Sequence, residues 1–189
     1  MITAYIDIKS LGSYLAIKPI CDLAKKTGVA IEWRPFVAPA RALPTQTDDE
    51  TVTQAHHRVR AEAEYRTHLR YAELLGIEYC PPITGQKLQT AMSLIAAADN
   101  NKTALVRALF KAYWVQAENL DDILLLRTLC GEAGVAFVEP DIENSALLES
   151  QSEAERMGVF DAPTVIVKDQ LFLGRAHLPW IEKLLTDSD

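Results

Sequence analysis

The sequence predicts an α/β protein with an all-helical segment spliced into its middle, and three observations carry that prediction. A strand–helix–strand unit opens the chain of 189 residues. Four helical stretches then follow with no strand between them, and a helix, a β-hairpin and a final helix close the chain.

Residues 2–8 are rich in β-branched and aromatic side chains and read as a strand. A helix is expected over about 13–27, with Gly28 as the left-handed residue that ends it and Pro19 predicted to kink it. Residues 30–36 read as a second strand, so the opening unit is βαβ, a parallel pair with a right-handed crossover. Pro39, Pro44 and the polar run 45–50 then mark a loop that leads into a helix. That helix spans about 49–75 and ends at Gly76. Arg58, Arg60, Glu62, Glu64, Arg66 and Arg70 form its solvated faces, while Val52, Ala55, Val59, Ala63, Leu69, Ala72 and Leu75 recur at helical spacing. Pro81, Pro82 and Gly85 make a second loop. Helices follow at about 87–98, 102–117 and 121–133, the last opened by Asn119 or Asp121.

Residues 135–138 form a short apolar stretch, a strand that Pro140 cuts off. A helix over 145–157 comes next. Residues 163–168 read as a strand, Asp169-Gln170 as a two-residue turn and residues 171–173 as the returning strand of a hairpin. Residues 177–186 close as a helix. This order is that of a thioredoxin-like fold with an all-helical insertion. The expected boundaries are residues 1–46 for the first part of the α/β domain, 47–133 for the insertion and 134–189 for the second part.

Composition narrows the function classes. The net charge is −7, from 19 basic and 26 acidic residues. Nucleic acids and anionic membranes both require a concentrated basic face, so neither is an expected partner. No apolar run approaches the roughly 20 residues that cross a bilayer, and the N-terminus lacks the basic start of a signal peptide. The expected location is the cytoplasm. Cys21, Cys80 and Cys130 lie far apart, and no pair has metal or redox spacing. An odd count of scattered thiols fits a reducing compartment.

Ser10-Leu11-Gly12-Ser13 sits where the first strand hands over to the first helix. Unpaired N–H groups and the helix dipole stabilise negative charge at such a junction. Thiol chemistry is often placed there as Cys-x-x-Cys with depressed pKa; here two serines hold the same spacing. Ser10 or Ser13 can be an N-cap, worth about 1 kcal/mol. Alternatively, a hydroxyl there can donate a hydrogen bond to a thiolate supplied by a ligand.

Pro163 stands at the first position of a strand, where proline removes no ladder donor. It can be a plain strand start, or it can carry a cis Ala162–Pro163 bond, which proline adopts far more readily than other residues. In thioredoxin-like folds that proline faces the helix N-terminus and leaves the backbone of the preceding residue open to pair with an extended peptide ligand. His56, His57 and His68 lack the i, i+4 spacing of a helical metal site, and no metal is expected. Tyr113 and Trp114 read as core or as a ligand platform. Asp7 is an outward-facing residue or a buried acid that tunes the site.

The chain resembles the DsbA-like thioredoxin superfamily, and within it the 2-hydroxychromene-2-carboxylate isomerase and kappa-class glutathione transferase branch. The resemblance rests on residues 5–10 with 13–16, Trp33-Arg34-Pro35-Phe36, residues 71–77, residues 109–114, and Gly158-Val159-Phe160 followed by Ala162-Pro163-Thr164. It implies a glutathione-dependent isomerase or transferase. Ser10 matches the serine that hydrogen-bonds the glutathione sulfur, the catalytic role. Ser13, Ala162, Pro163, Thr164, Arg175 and His177 fall at positions expected to bind the cofactor. The resemblance also implies a small electrophilic or aromatic substrate covered by the helical insertion, and a homodimer.

Two departures stand out. Leu11 and Gly12 replace the proline and aromatic of the branch's Ser-Pro-(Phe/Tyr)-Ser, which is expected to loosen the helix start. Ala176 replaces an acid of its Gly-x-Asp-Arg turn, a charge-assisted partner worth roughly 1.5–3 kcal/mol. In addition, Lys9 brings a cation beside the site. The alternative expectation is a non-catalytic thioredoxin-fold binding protein that has lost glutathione binding. A dithiol oxidoreductase is disfavoured because no cysteine lies at the helix start.

Overall fold

A computed structural model describes residues 1–38, 49–139 and 146–187. Pro39, Pro44, most of the polar run after it, Pro140 and Ser145 fall outside them. The elements are β1 (Ile2–Ile6), α1 (Leu11–Thr27), β2 (Ile31–Pro35), α2 (Val52–Leu75), α3 (Gln89–Ala97), α4 (Lys102–Trp114), α5 (Ile123–Ala133), α6 (Ala146–Arg156), β3 (Thr164–Val167), β4 (Gln170–Leu173) and α7 (Leu178–Thr186). The chain forms two compact units, Met1–Ala38 with Cys80–Asp189, and Pro39–Tyr79.

In the larger unit the sheet order is β2-β1-β3-β4. β1 runs parallel to β2, pairing Ile6 with Pro35, and antiparallel to β3, pairing Tyr5 with Thr164. Pro35 is tolerated because β2 is an edge strand. Ile2, Ala4, Tyr5 and Ile6 are all essentially inaccessible, so both faces of β1 are covered, as expected of an interior strand between helical layers. On one side Tyr5, Phe36, Ala154, Val159, Ala162 and Ile166 form a core cluster. It draws β1, α6 and the segment before β3 together. α1 packs against α4 and α7.

The hairpin between β3 and β4 pairs Val167 with Gln170, so Lys168 and Asp169 form the turn. This is one residue earlier than the sequence suggests. Both have positive φ, 47° and 60°, the pattern of a type I′ turn, whose twist matches that of the strands. Residues 135–139 form no strand, which corrects the short strand expected there. Val138 is exposed, and the Arg127 guanidinium lies over the Phe137 ring, 4.6 Å from its centre, a cation–π contact. Asp122 caps α5, accepting from Leu124 N–H. Asp121 instead accepts from the N–H groups of Lys87 and Leu88 at 2.9 Å each.

The smaller unit is built on α2. Thr51 and Gln54 form a capping box at its start, and Gly76 ends it in the left-handed conformation, as the sequence indicates. Arg58 bridges Glu50 and Glu62. The apolar repeat of α2 is not a buried face: Val52, Val59 and Leu75 are exposed, and Ala72 is the residue of this helix recorded as buried.

Candidate functional site

The site is assembled where β1 ends, α1 begins and the chain turns into β3. Ser10 is extended (φ −86°, ψ 113°) and caps α1. Ser13 N–H donates to Ser10 Oγ at 3.1 Å, the N-cap bond expected of serine. The same oxygen does a second job across the fold: Ser10 Oγ–H donates to the Ala162 carbonyl at 3.0 Å. The hydroxyl therefore does not serve the local backbone alone. It ties the helix start to the segment before β3. The Ala162–Pro163 peptide is cis.

Ser13 and Thr164 lie directly behind this junction and are completely buried. Ser13 Oγ accepts from Asp7 N–H at 3.3 Å, and Thr164 Oγ1 donates to the Asp161 carbonyl at 2.6 Å. Both side chains brace backbone here rather than present themselves at a surface. Pro163 is likewise buried. Its carbonyl accepts from Gly174 N–H at 2.7 Å, which brings the turn carrying Arg175 and His177 to the end of β4 beside it. Arg175 is half-buried. His177 is exposed and stands at the start of α7, its ring 5.9 Å from that of Phe172.

Asp7 resolves as a buried acid, 6% exposed. Its carboxylate accepts from Lys9 N–H at 2.9 Å and Ala38 N–H at 3.0 Å. Burial pushes its pKa up. The two N–H bonds and the Lys9 charge oppose that shift, and the nearby Asp161 carboxylate adds to it. Trp114 and Tyr113 are core residues at the end of α4. The Trp114 indole N–H donates to the Ile8 carbonyl at 2.8 Å, and its ring stacks on the half-buried Tyr14 at 6.2 Å. The β1–α1 connection is thus held from three sides, by Trp114, Ser13 and Asp7.

This is the frame of a thioredoxin-type centre, and the comparisons with known proteins agree. A family model for the DSBA-like thioredoxin domain matches residues 1–186. The chain belongs to the DsbA-like thioredoxin domain family. A 2-hydroxychromene-2-carboxylate isomerase from Sphingobium xenophagum is 25% identical over 194 residues, spanning 97% of this chain and 96% of that protein. A solved 2-hydroxychromene-2-carboxylate isomerase matches with a TM-score of 0.73 at 20% identity, covering 97% of this chain and 93% of that one. A probable DsbA oxidoreductase from Streptomyces coelicolor gives 0.70 at 17% identity, over 98% and 88% of the two chains. The cytosolic disulfide reductase DsbM from Pseudomonas aeruginosa, solved with GSH, gives 0.58 at 16% identity, over 90% and 87%.

In this member of the DsbA-like family the helix start carries Ser10 and Ser13 and no thiol. Cys21 and Cys130 sit elsewhere, with pKa values raised by burial, which disfavours the nucleophilic thiolate. Cys80 is exposed. The replacement of Pro-aromatic by Leu11-Gly12 does not delay the helix, which begins at Leu11. A cleft of about 750 Å3 lined by Glu32, Asn101, Lys102 and Arg107 lies beside Ile31, at the opposite end of the β1–β2 pair from Ser10. It shares no residue with the centre described above.

One expectation is corrected. The backbone of Ala162 is not open for pairing in this structure. Its carbonyl takes the Ser10 hydroxyl, and its N–H donates to Asp161 Oδ1 at 2.8 Å. Asp161 is 7% exposed and is the site residue that sequence reasoning missed. The available signal was an acid immediately before Ala-Pro, since Asp side chains commonly bond nearby backbone N–H groups in turns.

Proposed function

We propose that this protein is a glutathione-dependent isomerase or transferase of the 2-hydroxychromene-2-carboxylate isomerase type, with Ser10 as the group that activates the bound thiol. The observation that carries it is the Ser10 hydroxyl, capping α1 and at the same time hydrogen-bonded to Ala162 across the site. Similarity to the Sphingobium isomerase along nearly the whole chain supports it, as does a structural neighbour solved with GSH.

Glutathione, when bound, supplies a sulfur nucleophile that adds reversibly to an unsaturated carbon of the substrate. The donor set fits such a group: a hydroxyl and the positive end of a helix both favour an anionic sulfur. Ser10 has a single proton, and here it is given to Ala162 O. Holding an anion therefore requires an exchange in which a ligand N–H takes over the Ala162 carbonyl and the Ser10 O–H turns to the ligand. Ala162 and Pro163 align the cysteinyl backbone, while Ser13 and Thr164 fix the two strands of the junction. Arg175 and His177 lie on the turn that meets Pro163 and contribute to the ligand's far end. The proposal extends to a homodimer in the cytoplasm and to a small electrophilic or aromatic substrate. Among the described residues, no helix is long and apolar enough to cross a membrane.

The competing possibility is a non-catalytic thioredoxin-fold binding protein. It draws on Ala176 and on the internal hydrogen bonds that already occupy Ala162. Calorimetry with glutathione, together with glutathione-dependent conversion of 2-hydroxychromene-2-carboxylate, separates the two. Saturable binding that weakens sharply in Ser10→Ala supports the enzyme. No binding at millimolar glutathione or its S-conjugates, and no conversion, overturns it.

A further inference from the structure

Two side chains at the junction together imitate one residue of an added strand. In an antiparallel pair, two facing residues exchange both of their N–H···O bonds, and an extended peptide that joins a sheet edge offers one carbonyl and one N–H for that purpose. At Ala162 the carbonyl's part is played by Asp161 Oδ1, which accepts from the Ala162 N–H at 2.8 Å. The N–H's part is played by Ser10 Oγ–H, which donates to the Ala162 carbonyl at 3.0 Å. Ala162 and Asp161 are each 7% exposed, so water is a poor substitute partner for either backbone group. A ligand that draws either imitator away without replacing its hydrogen bond leaves a buried backbone group of Ala162 unpaired, which is costly. Ser10 can release its bond by rotating a hydroxyl. Asp161 must withdraw a charged acceptor, and a carboxylate makes the stronger bond to an N–H.

We propose that Asp161 is a specificity-determining residue: its carboxylate occupies the ligand-pairing N–H of Ala162, so an extended peptide ligand must displace it to complete both backbone bonds, whereas a simple thiol, which makes neither bond, is indifferent to it. This deepens the glutathione proposal and rests on it for the identity of the natural ligand, but the pairing rule itself concerns backbone and not sulfur.

Calorimetry on the full chain and on Asp161→Ala and Asp161→Asn tests it with three probes: glutathione, N-acetylcysteine methylamide and 2-mercaptoethanol. Asp161→Ala removes the internal competitor and is expected to tighten the first two probes by about tenfold, the scale of one charge-assisted hydrogen bond, with no gain for 2-mercaptoethanol. Asp161→Asn keeps an uncharged acceptor at the same place and is expected to gain less; it also serves if the alanine variant does not fold. If none of the three proteins binds glutathione but the methylamide tightens in the variants, glutathione dependence fails and the role of Asp161 stands. If glutathione binds the natural chain and the variants equally well or more weakly, Asp161 is not a competitor and the proposal falls while glutathione dependence survives. Absence of binding by any probe to any of the three proteins overturns both.

Discussion

Replacing Ser10 with alanine removes one oxygen that serves two partners at once. The Ser13 N–H loses its N-cap acceptor and the Ala162 carbonyl loses its cross-fold donor. The cap is worth about 1 kcal/mol, and a part-buried neutral hydrogen bond contributes roughly 0.5–1.5 kcal/mol more. The two losses sum to about 2 kcal/mol, since the partners lie on different elements and neither can rescue the other. For a chain of this size each kcal/mol moves the melting temperature by roughly 2–4 °C, so Ser10→Ala should melt about 4–8 °C lower. Ser10→Thr keeps the hydroxyl and should recover most of that loss. Thermal unfolding followed by circular dichroism, scanned in the same buffer for all three proteins, measures it. A drop of less than about 1 °C in the alanine variant would mean that neither bond contributes, and the junction would then not be held as described.

Other substitutions probe the surrounding brace. Ser13→Ala strands a buried Asp7 N–H and should cost about 1–3 kcal/mol, read as a shift in the urea midpoint. An unchanged midpoint would show that another acceptor takes over. Trp114→Phe leaves the Ile8 carbonyl without its indole donor and is expected to lower stability by about 1–3 kcal/mol; a neutral result would contradict the role of Trp114 in fixing the β1–α1 connection. Asp7 has a folded pKa raised above its ordinary 3.8, chiefly by burial. A raised value means that the folded state favours the protonated acid, so its contribution is fully present below about 3.8 and is lost as the pH climbs through the raised value. Melting temperatures of the natural chain and Asp7→Asn, compared across that range, should therefore shift in favour of the asparagine as the pH rises. A difference that stays flat would place the Asp7 carboxyl in a solvated setting.

Much of this architecture was legible because it is written in local signals. Gly28 and Gly76 end their helices as left-handed residues, and the βαβ opening followed from composition and a break in periodicity. The errors arose where tertiary partners decide. The apolar run at 135–138 has strand composition but finds no strand to pair with, and α5 engages Phe137 instead. The hairpin slipped by one residue because Lys168, an ordinary residue by sequence, adopts positive φ in the turn. Asp7 was ambiguous because polar residues in strands usually face out, whereas both faces of β1 are covered. Ser10 could be found from its place at a strand–helix junction. Asp161 could not be ranked, because its importance depends on a hydrogen bond to its neighbour and on a hydroxyl 151 positions earlier in the chain.

The most direct test of the central claim is the pH at which the sulfur of bound glutathione ionises, followed by the ultraviolet absorbance of the thiolate. With the Ser10 hydroxyl and the start of α1 facing the sulfur, ionisation in the natural protein should occur at lower pH than in free glutathione. In Ser10→Ala it should move back towards the free value. Equal ionisation in the two proteins, or a value above that of free glutathione, would contradict the account.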